Sequence, residues 1–92
     1  LKIEIEVRNM DELEAVLNEG GVDRIMLDNF SIQQTRAAVQ RIDGRFETES
    51  SGGIDLKTVA HYAACGVDYI SVGALTHQIG SLDLSLKAIE DK

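Results

Sequence analysis

Two periodicities take turns along this chain, and their strict alternation limits the folds open to it more than any other feature. Lys2 to Val7 reads Lys-Ile-Glu-Ile-Glu-Val, with a β-branched residue at every second position, the pattern of a strand. Asp11 to Glu19 changes period: Leu13, Val16 and Leu17 fall at helical spacing, acidic residues stand in the first turn, and Gly20-Gly21 follow as a stop. Val22 to Leu27 reads as a second strand, ending at Asp28-Asn29-Phe30. Ser31 then offers an N-cap to a helix whose stripe is Thr35, Ala38, Val39 and Ile42, closed by Asp43-Gly44. Phe46 to Glu49 is a short strand running into Ser50-Ser51-Gly52-Gly53. Asp55 is the expected cap of a third helix, with Leu56, Val59, Ala60 and Ala63 facing inward and Gly66 ending it. The fourth strand, Asp68 to Val72, leads into Gly73-Ala74. Beyond Thr76-His77-Gln78, the residues Leu82, Leu84, Leu86 and Ile89 suggest a short closing helix.

Strand then helix, four times without a proline, is the order of parallel βαβ construction. A complete eight-unit barrel takes about 250 residues. The 92 residues are therefore expected to form half of a TIM-like, open α/β barrel, a single fragment 1–92. The opening at Leu1-Lys2-Ile3-Glu4, inside a strand pattern and without an initiator Met or a signal core, points to part of a longer polypeptide. Sheet edges left bare by such a division would need the rest of the chain or a second copy.

Charge narrows the partners. Sixteen acidic residues against nine basic ones give a net charge of −7, and Lys and Arg form no cluster, so nucleic acid and anionic membranes are poor partners. The longest apolar runs are too short to span a bilayer. A lone Cys65 makes no internal disulfide, which suits a reducing compartment such as the cytoplasm; it is expected to be a buried helical thiol. His61 is expected to be a solvated or capping helix residue.

In barrels of this kind the active site lies where the strands end. Those ends read Glu4-Ile5-Glu6-Val7, Leu27-Asp28-Asn29, Glu49-Ser50-Ser51-Gly52-Gly53 and Ser71-Val72-Gly73-Ala74. Glu4 and Glu6 share one face of the first strand. Inside a barrel such carboxylates are costly unless paired or liganded; the plainer alternative is a half-exposed strand with solvated glutamates. Asp28 follows an apolar run and is a candidate acid, or else a turn residue or helix cap. Ser51-Gly52-Gly53 and Gly73-Ala74 follow consecutive strands, where barrels hold a phosphate on backbone N–H groups and a helix amino terminus; ordinary turns are the alternative. His77 is a polar group at the site mouth or a loop histidine.

Taken together, Glu4-Ile5-Glu6-Val7, Ile25-Met26-Leu27-Asp28-Asn29-Phe30, Glu49-Ser50-Ser51-Gly52-Gly53 and Gly66-Val67-Asp68-Tyr69-Ile70-Ser71-Val72-Gly73-Ala74-Leu75-Thr76-His77 resemble the quinolinate phosphoribosyltransferases, in order and in approximate spacing, over the whole chain. The resemblance implies the carboxy-terminal half of that family's barrel. It implies transfer of phosphoribose from phosphoribosyl pyrophosphate to the ring nitrogen of quinolinate, with loss of pyrophosphate and carbon dioxide, giving nicotinate mononucleotide for NAD synthesis. Magnesium would accompany the pyrophosphate. Glu6 and Asp28 would match the family's acidic pair at the ribose and metal, while Ser51, Gly52, Gly53, Gly73 and Ala74 would match its cup for the 5′-phosphate. His77 would stand beside that cup, and Glu4 and Glu49 are further candidates. The family's Arg, Lys and His group for quinolinate is missing from this acidic segment. It would come from elsewhere in the chain and from a neighbouring subunit, which implies a homodimer or higher oligomer.

Two rival readings follow from the same residues. Another phosphate-binding barrel, such as a thiamin-phosphate synthase or a sugar-phosphate isomerase, would share the glycine loops but should lack the Glu-x-Glu-Val and Leu-Asp-Asn segments. A half-barrel module without catalytic function, which only folds or dimerises, is the other.

Overall fold

The computed structural model describes residues 2–73 and 75–79; the expected closing helix at Leu82–Ile89 lies outside them. The described elements are β1 Glu4–Val7, α1 Met10–Glu19, β2 Arg24–Asp28, α2 Ile32–Ile42, β3 Glu47–Ser51, α3 Val59–Ala63, β4 Tyr69–Val72 and β5 Leu75–Gln78. One sheet holds all five strands in the order β1-β2-β3-β4-β5. The first four run parallel, as the alternation of strand and helix requires. The fifth returns antiparallel along β4, pairing Val72 with Leu75 and Tyr69 with Gln78.

That last strand departs from the expected path, in which Thr76-His77-Gln78 led on toward a helix. Gly73, at φ 62°, has the left-handed backbone that suits direct reversal of the chain. Two further corrections concern boundaries. β3 continues past Glu49 to include Ser50 and Ser51, because Leu27 and Asp28 of β2 offer them partners. α3 begins at Val59 rather than just after Asp55: the Asp55 carboxylate accepts the N–H groups of Lys57 (2.9 Å) and Thr58 (3.0 Å) and holds that stretch as a turn. Leu56 is consequently 53% exposed and Ala60 is also exposed, so neither faces inward as expected.

The first two helices follow their sequence signals closely. Asn9 caps α1 through its side chain, and Gly20 ends it at φ 67°. α2 opens with a reciprocal box, Ser31 Oγ accepting from Gln34 N–H and Gln34 Oε1 accepting from Ser31 N–H. Leu13, Val16 and Leu17 of α1 and Thr35, Ala38 and Ile42 of α2 are buried against Val7, Ile25, Leu27 and Ile70 from the strands. All the core therefore lies on one side of the sheet. No helix among the described residues is long and apolar enough to cross a membrane.

One device fixes strand register twice. Gly-Val-Asp precedes both β2 and β4, and each aspartate grips the neighbouring strand. Asp23 takes the Ile3 N–H on its carboxylate (2.7 Å) while its own N–H donates to the Ile3 carbonyl (2.8 Å). Asp68 does the same with Thr48, carboxylate to N–H at 2.9 Å and N–H to carbonyl at 3.0 Å, with the Thr48 hydroxyl added. Thr48 is buried and Ile3 exposed, so loss of Asp68 strands a donor that water cannot reach. Asp68→Ala is expected to cost about 1.5 kcal/mol, and Asp23→Ala clearly less. Urea unfolding of the two variants measures this, and an equal or reversed order would contradict the role given to burial.

Candidate functional site

Alternation along parallel strands in this register sorts the side chains into two faces. Val7, Ile25, Leu27, Thr48, Ser50 and Ile70 point to the helices. Glu4 and Glu6 of β1, Arg24, Met26 and Asp28 of β2, Glu47, Glu49 and Ser51 of β3, and Tyr69 and Ser71 of β4 share the opposite face. That face carries five carboxylates and one guanidinium.

Arg24 is where the face is tied together. Its Nη1 donates to Glu49 Oε1 (3.3 Å) and its Nη2 to Glu47 Oε1 (3.5 Å), and its guanidinium carbon lies 3.6 Å from the centre of the Tyr69 ring. A planar, always charged group suits this combined pairing and stacking. Glu49, 4% exposed, is held at both ends: its other oxygen accepts the Ser71 hydroxyl at 2.8 Å. Glu4 reaches the same carboxylate. Burial, then the hydrogen bond to Glu49 and the Glu49 charge, push the Glu4 carboxyl above its ordinary range. Lys2 and, more weakly, Arg24 hold Glu47 below that range. The candidates Glu4 and Glu49 are thus committed to a network with Arg24, which sequence reasoning passed over. Its signal was present: in Arg24-Ile25-Met26-Leu27-Asp28 a period of two puts Arg24 on the face of Asp28.

At the carboxyl end of the sheet the other candidates gather. Asp28 pairs with Ser51 in register, and its Oδ1 accepts the Ser51 hydroxyl at 3.4 Å. Glu6 lies on the adjacent strand and the same face, opposite Met26 and so two positions short of Asp28. It is exposed, with Arg8 Nε 3.3 Å from its Oε2. Gly52 follows Ser51 at φ 89°. A Cβ there would stand 2.9 Å from Asn29 N, Asn29 Oδ1 and Asp28 Oδ1, so only glycine lets the loop approach this closely. Gly53 continues the loop at φ 71°.

Other candidates are placed differently. Gly73 also ends a parallel strand next to β3, but the chain beyond it returns as β5, so the described residues supply no helix amino terminus there. Ala74 lies outside the described residues. His77 pairs with Ile70 and therefore points to the helix side, across the sheet from Glu6 and Asp28, rather than to a site mouth. Cys65 is buried just beyond α3, with its Sγ near the Ile32 and His61 carbonyls, and burial raises its pKa; it is an inert thiol in a turn rather than in a helix. His61 is exposed on α3. A cavity of about 420 Å³ between Lys2, Arg45, Phe46 and Asp68 opens at the amino ends of the strands, away from Asp28.

Comparison with known proteins identifies the family. The model of a family described as quinolinate phosphoribosyl transferase, C-terminal domain, matches residues 1–87. A nicotinate-nucleotide pyrophosphorylase (carboxylating) of Mycobacterium leprae is 49% identical over 89 residues, covering 94% of this chain and 31% of that protein. The solved nicotinate-nucleotide pyrophosphorylase from Francisella tularensis superposes with a TM-score of 0.71 at 44% identity, over 77% of this chain and 25% of that one. That from Ehrlichia chaffeensis gives 0.72 at 39% identity, over 77% and 26%. The chain spans about a third of the length of the curated relative and a quarter of the solved ones.

Two outcomes follow from the Arg24 network. Arg24→Met keeps the stem but leaves buried Glu49 without its cation, and is expected to lower unfolding stability by about 2 kcal/mol, less than for a fully buried pair because the face is partly wet; a change under about 0.5 kcal/mol in urea unfolding would contradict it. A carboxyl raised above its ordinary value is favoured neutral in the fold, so Glu4 removes stability as pH rises through that raised value. Glu4→Gln should therefore raise the melting temperature near neutral pH and not in acid below the carboxylate range, whereas an equal shift at both would refute the titration.

Proposed function

Because the chain belongs to the quinolinate phosphoribosyltransferase family, we propose that it forms the part of such an enzyme that holds the phosphoribosyl donor. The observation that carries this reading is the meeting of Asp28, Ser51 and Gly52 at the carboxyl end of β2 and β3, on the face that also bears Glu6. A carboxylate beside a glycine loop is suited to a phosphorylated sugar: the acid faces the ring and the backbone N–H groups face the phosphate.

In the proposed reaction the bond from ribose C1 to pyrophosphate breaks, the ring nitrogen of quinolinate bonds to C1, the 2-carboxylate departs as carbon dioxide, and the electron pair it leaves on C2 takes a proton from water. The product is nicotinate mononucleotide. Positive charge builds on the sugar as pyrophosphate leaves, and the carboxylates of Glu6 and Asp28 stabilise it electrostatically. Ser51 fixes the Asp28 carboxylate, and the N–H groups of Gly52 and Gly53, with that of Gly73 after the next strand, receive the 5′-phosphate; Ala74, the remaining residue assigned to the cup, lies outside the described residues. Magnesium fits the donor set: it needs one or two carboxylates and takes the rest of its shell from substrate phosphates and water. Glu6 and Asp28 would hold it, and it would neutralise the leaving pyrophosphate. Among the described residues no three His, Cys, Asp or Glu side chains gather to hold an ion on their own.

A net charge of −7 cannot bind a dicarboxylate and a pyrophosphate unaided. The cations that hold quinolinate are assigned to segments outside these 92 residues and to a second subunit, so the working unit is a homodimer or larger. The lone, protonated thiol of Cys65 fits a cytoplasmic enzyme of NAD synthesis. Glu6→Gln and Asp28→Asn, made in a full-length protein carrying this segment, are expected to lower kcat on the order of a hundredfold each, with smaller effects on KM. Near-normal kcat in both, with the melting temperature unchanged, would reduce the two acids to lining residues.

A further inference from the structure

Asn29 has no assigned part in the proposed reaction, yet it occupies the junction of the two groups that reaction uses. Its backbone sits at φ 60°, in the left-handed region that most side chains avoid and asparagine tolerates. From there its N–H donates to the Ser51 carbonyl at 3.0 Å, tying the turn after β2 to the last residue of β3. Its carboxamide oxygen faces the glycine loop: a Cβ on Gly52 would lie 2.9 Å from it and one on Gly53 3.8 Å. The next residue, Phe30, is buried, and its carbonyl accepts the Tyr62 hydroxyl of α3 at 2.8 Å. The turn is therefore anchored on both sides, to β3 through Asn29 and to α3 through Phe30.

We infer that Asn29 is a positioning residue, which sets the distance between the Asp28 carboxylate and the Gly52-Gly53 loop and so makes the site selective for a sugar that carries its phosphate at a fixed reach. The inference rests on the proposed function. Asp28 acts at one end of such a ligand and the loop at the other, and neither can shift alone while the Asn29 N–H holds Ser51 and Gly52 leaves no room beside the Asn29 carboxamide. The ligand class is a ribose 5-phosphate, free or as the pyrophosphorylated donor, and inorganic phosphate alone should not sense the spacing.

Three substitutions in a full-length protein carrying this segment separate the contributions. Asn29→Ala disfavours the left-handed turn, Asn29→Gly allows it, and Gly52→Ala pushes a methyl against Asp28 and Asn29. Misplacement on the scale of a bond length costs on the order of a hundredfold. Asn29→Ala and Gly52→Ala are therefore expected to lower kcat/KM for phosphoribosyl pyrophosphate by about that factor while the KM for quinolinate stays put, and Asn29→Gly is expected to recover most of the loss. Calorimetric titration with ribose 5-phosphate and with inorganic phosphate reads the same spacing without turnover: Asn29→Ala should weaken the first and spare the second. Unchanged ribose 5-phosphate affinity in Asn29→Ala overturns the inference, as does a loss shared equally by both ligands and matched by a lower melting temperature. A wild-type protein that binds ribose 5-phosphate but turns over nothing would defeat the proposed reaction, and the titrations of the variants would still decide the role of Asn29.

Discussion

Arg24 ties β2 to two carboxylates of β3 and to the Tyr69 ring of β4, and every other charged side chain that the four parallel strands place on its sheet face is a carboxylate. With Glu47 and Glu49 on its guanidinium and Tyr69 under its plane, it turns a row of carboxylates that should repel one another into a cross-strand link. The energetic weight lies in what its absence would leave. Glu49 is almost fully buried, and a buried carboxylate without a cation costs far more than a paired one returns. Parallel strands β2, β3 and β4 share no short connections, so a group that touches residues on all of them reports their register as well as stabilising it. The aspartate clasps of Asp23 and Asp68 do the same through backbone groups, Asp23 between β2 and the chain entering β1 and Asp68 between β4 and β3.

This arrangement divides the face. Toward the amino ends of the strands, Glu4, Glu47 and Glu49 are spent on Arg24, Lys2 and Ser71 and belong to the scaffold. Toward the carboxyl ends, Glu6 and Asp28 have, among the described residues, only light partners, an exposed Arg8 and the Ser51 hydroxyl. Carboxylates kept on one face but left free to meet a ligand are what a site for a developing positive charge needs. The close approach of Gly52 to Asp28 and Asn29 joins this acidic end to the glycine loop.

Much of this was legible in the residues, and the parts that were not share a cause. Helices α1 and α2 announce themselves through caps and apolar spacing, and four parallel strands follow from their order. Asp28, Ser51 and Gly52 could be singled out because strand ends are where barrels work. What escaped depends on who sits across the sheet. The Arg24 partners, the extension of β3 to Ser51 and the capture of Leu75–Gln78 by β4 are set by neighbouring strands, which a reading along the chain does not see. Leu56 misled for a local reason: the Asp55 carboxylate satisfies the N–H groups of a turn, and the helix starts only once that turn is complete. His77 followed β5 to the helix side, since pairing with Ile70 fixes its face.

The central claim is that the acidic strand ends and the glycine loop serve transfer of phosphoribose to a pyridine dicarboxylate. It is tested most directly by incubating a full-length protein carrying this segment with phosphoribosyl pyrophosphate, magnesium and carboxyl-labelled quinolinate, and counting pyrophosphate and labelled carbon dioxide together. The expected result is release of the two in equal amounts, dependent on both substrates. Pyrophosphate released without carbon dioxide, or neither released by a protein that is folded, would contradict it.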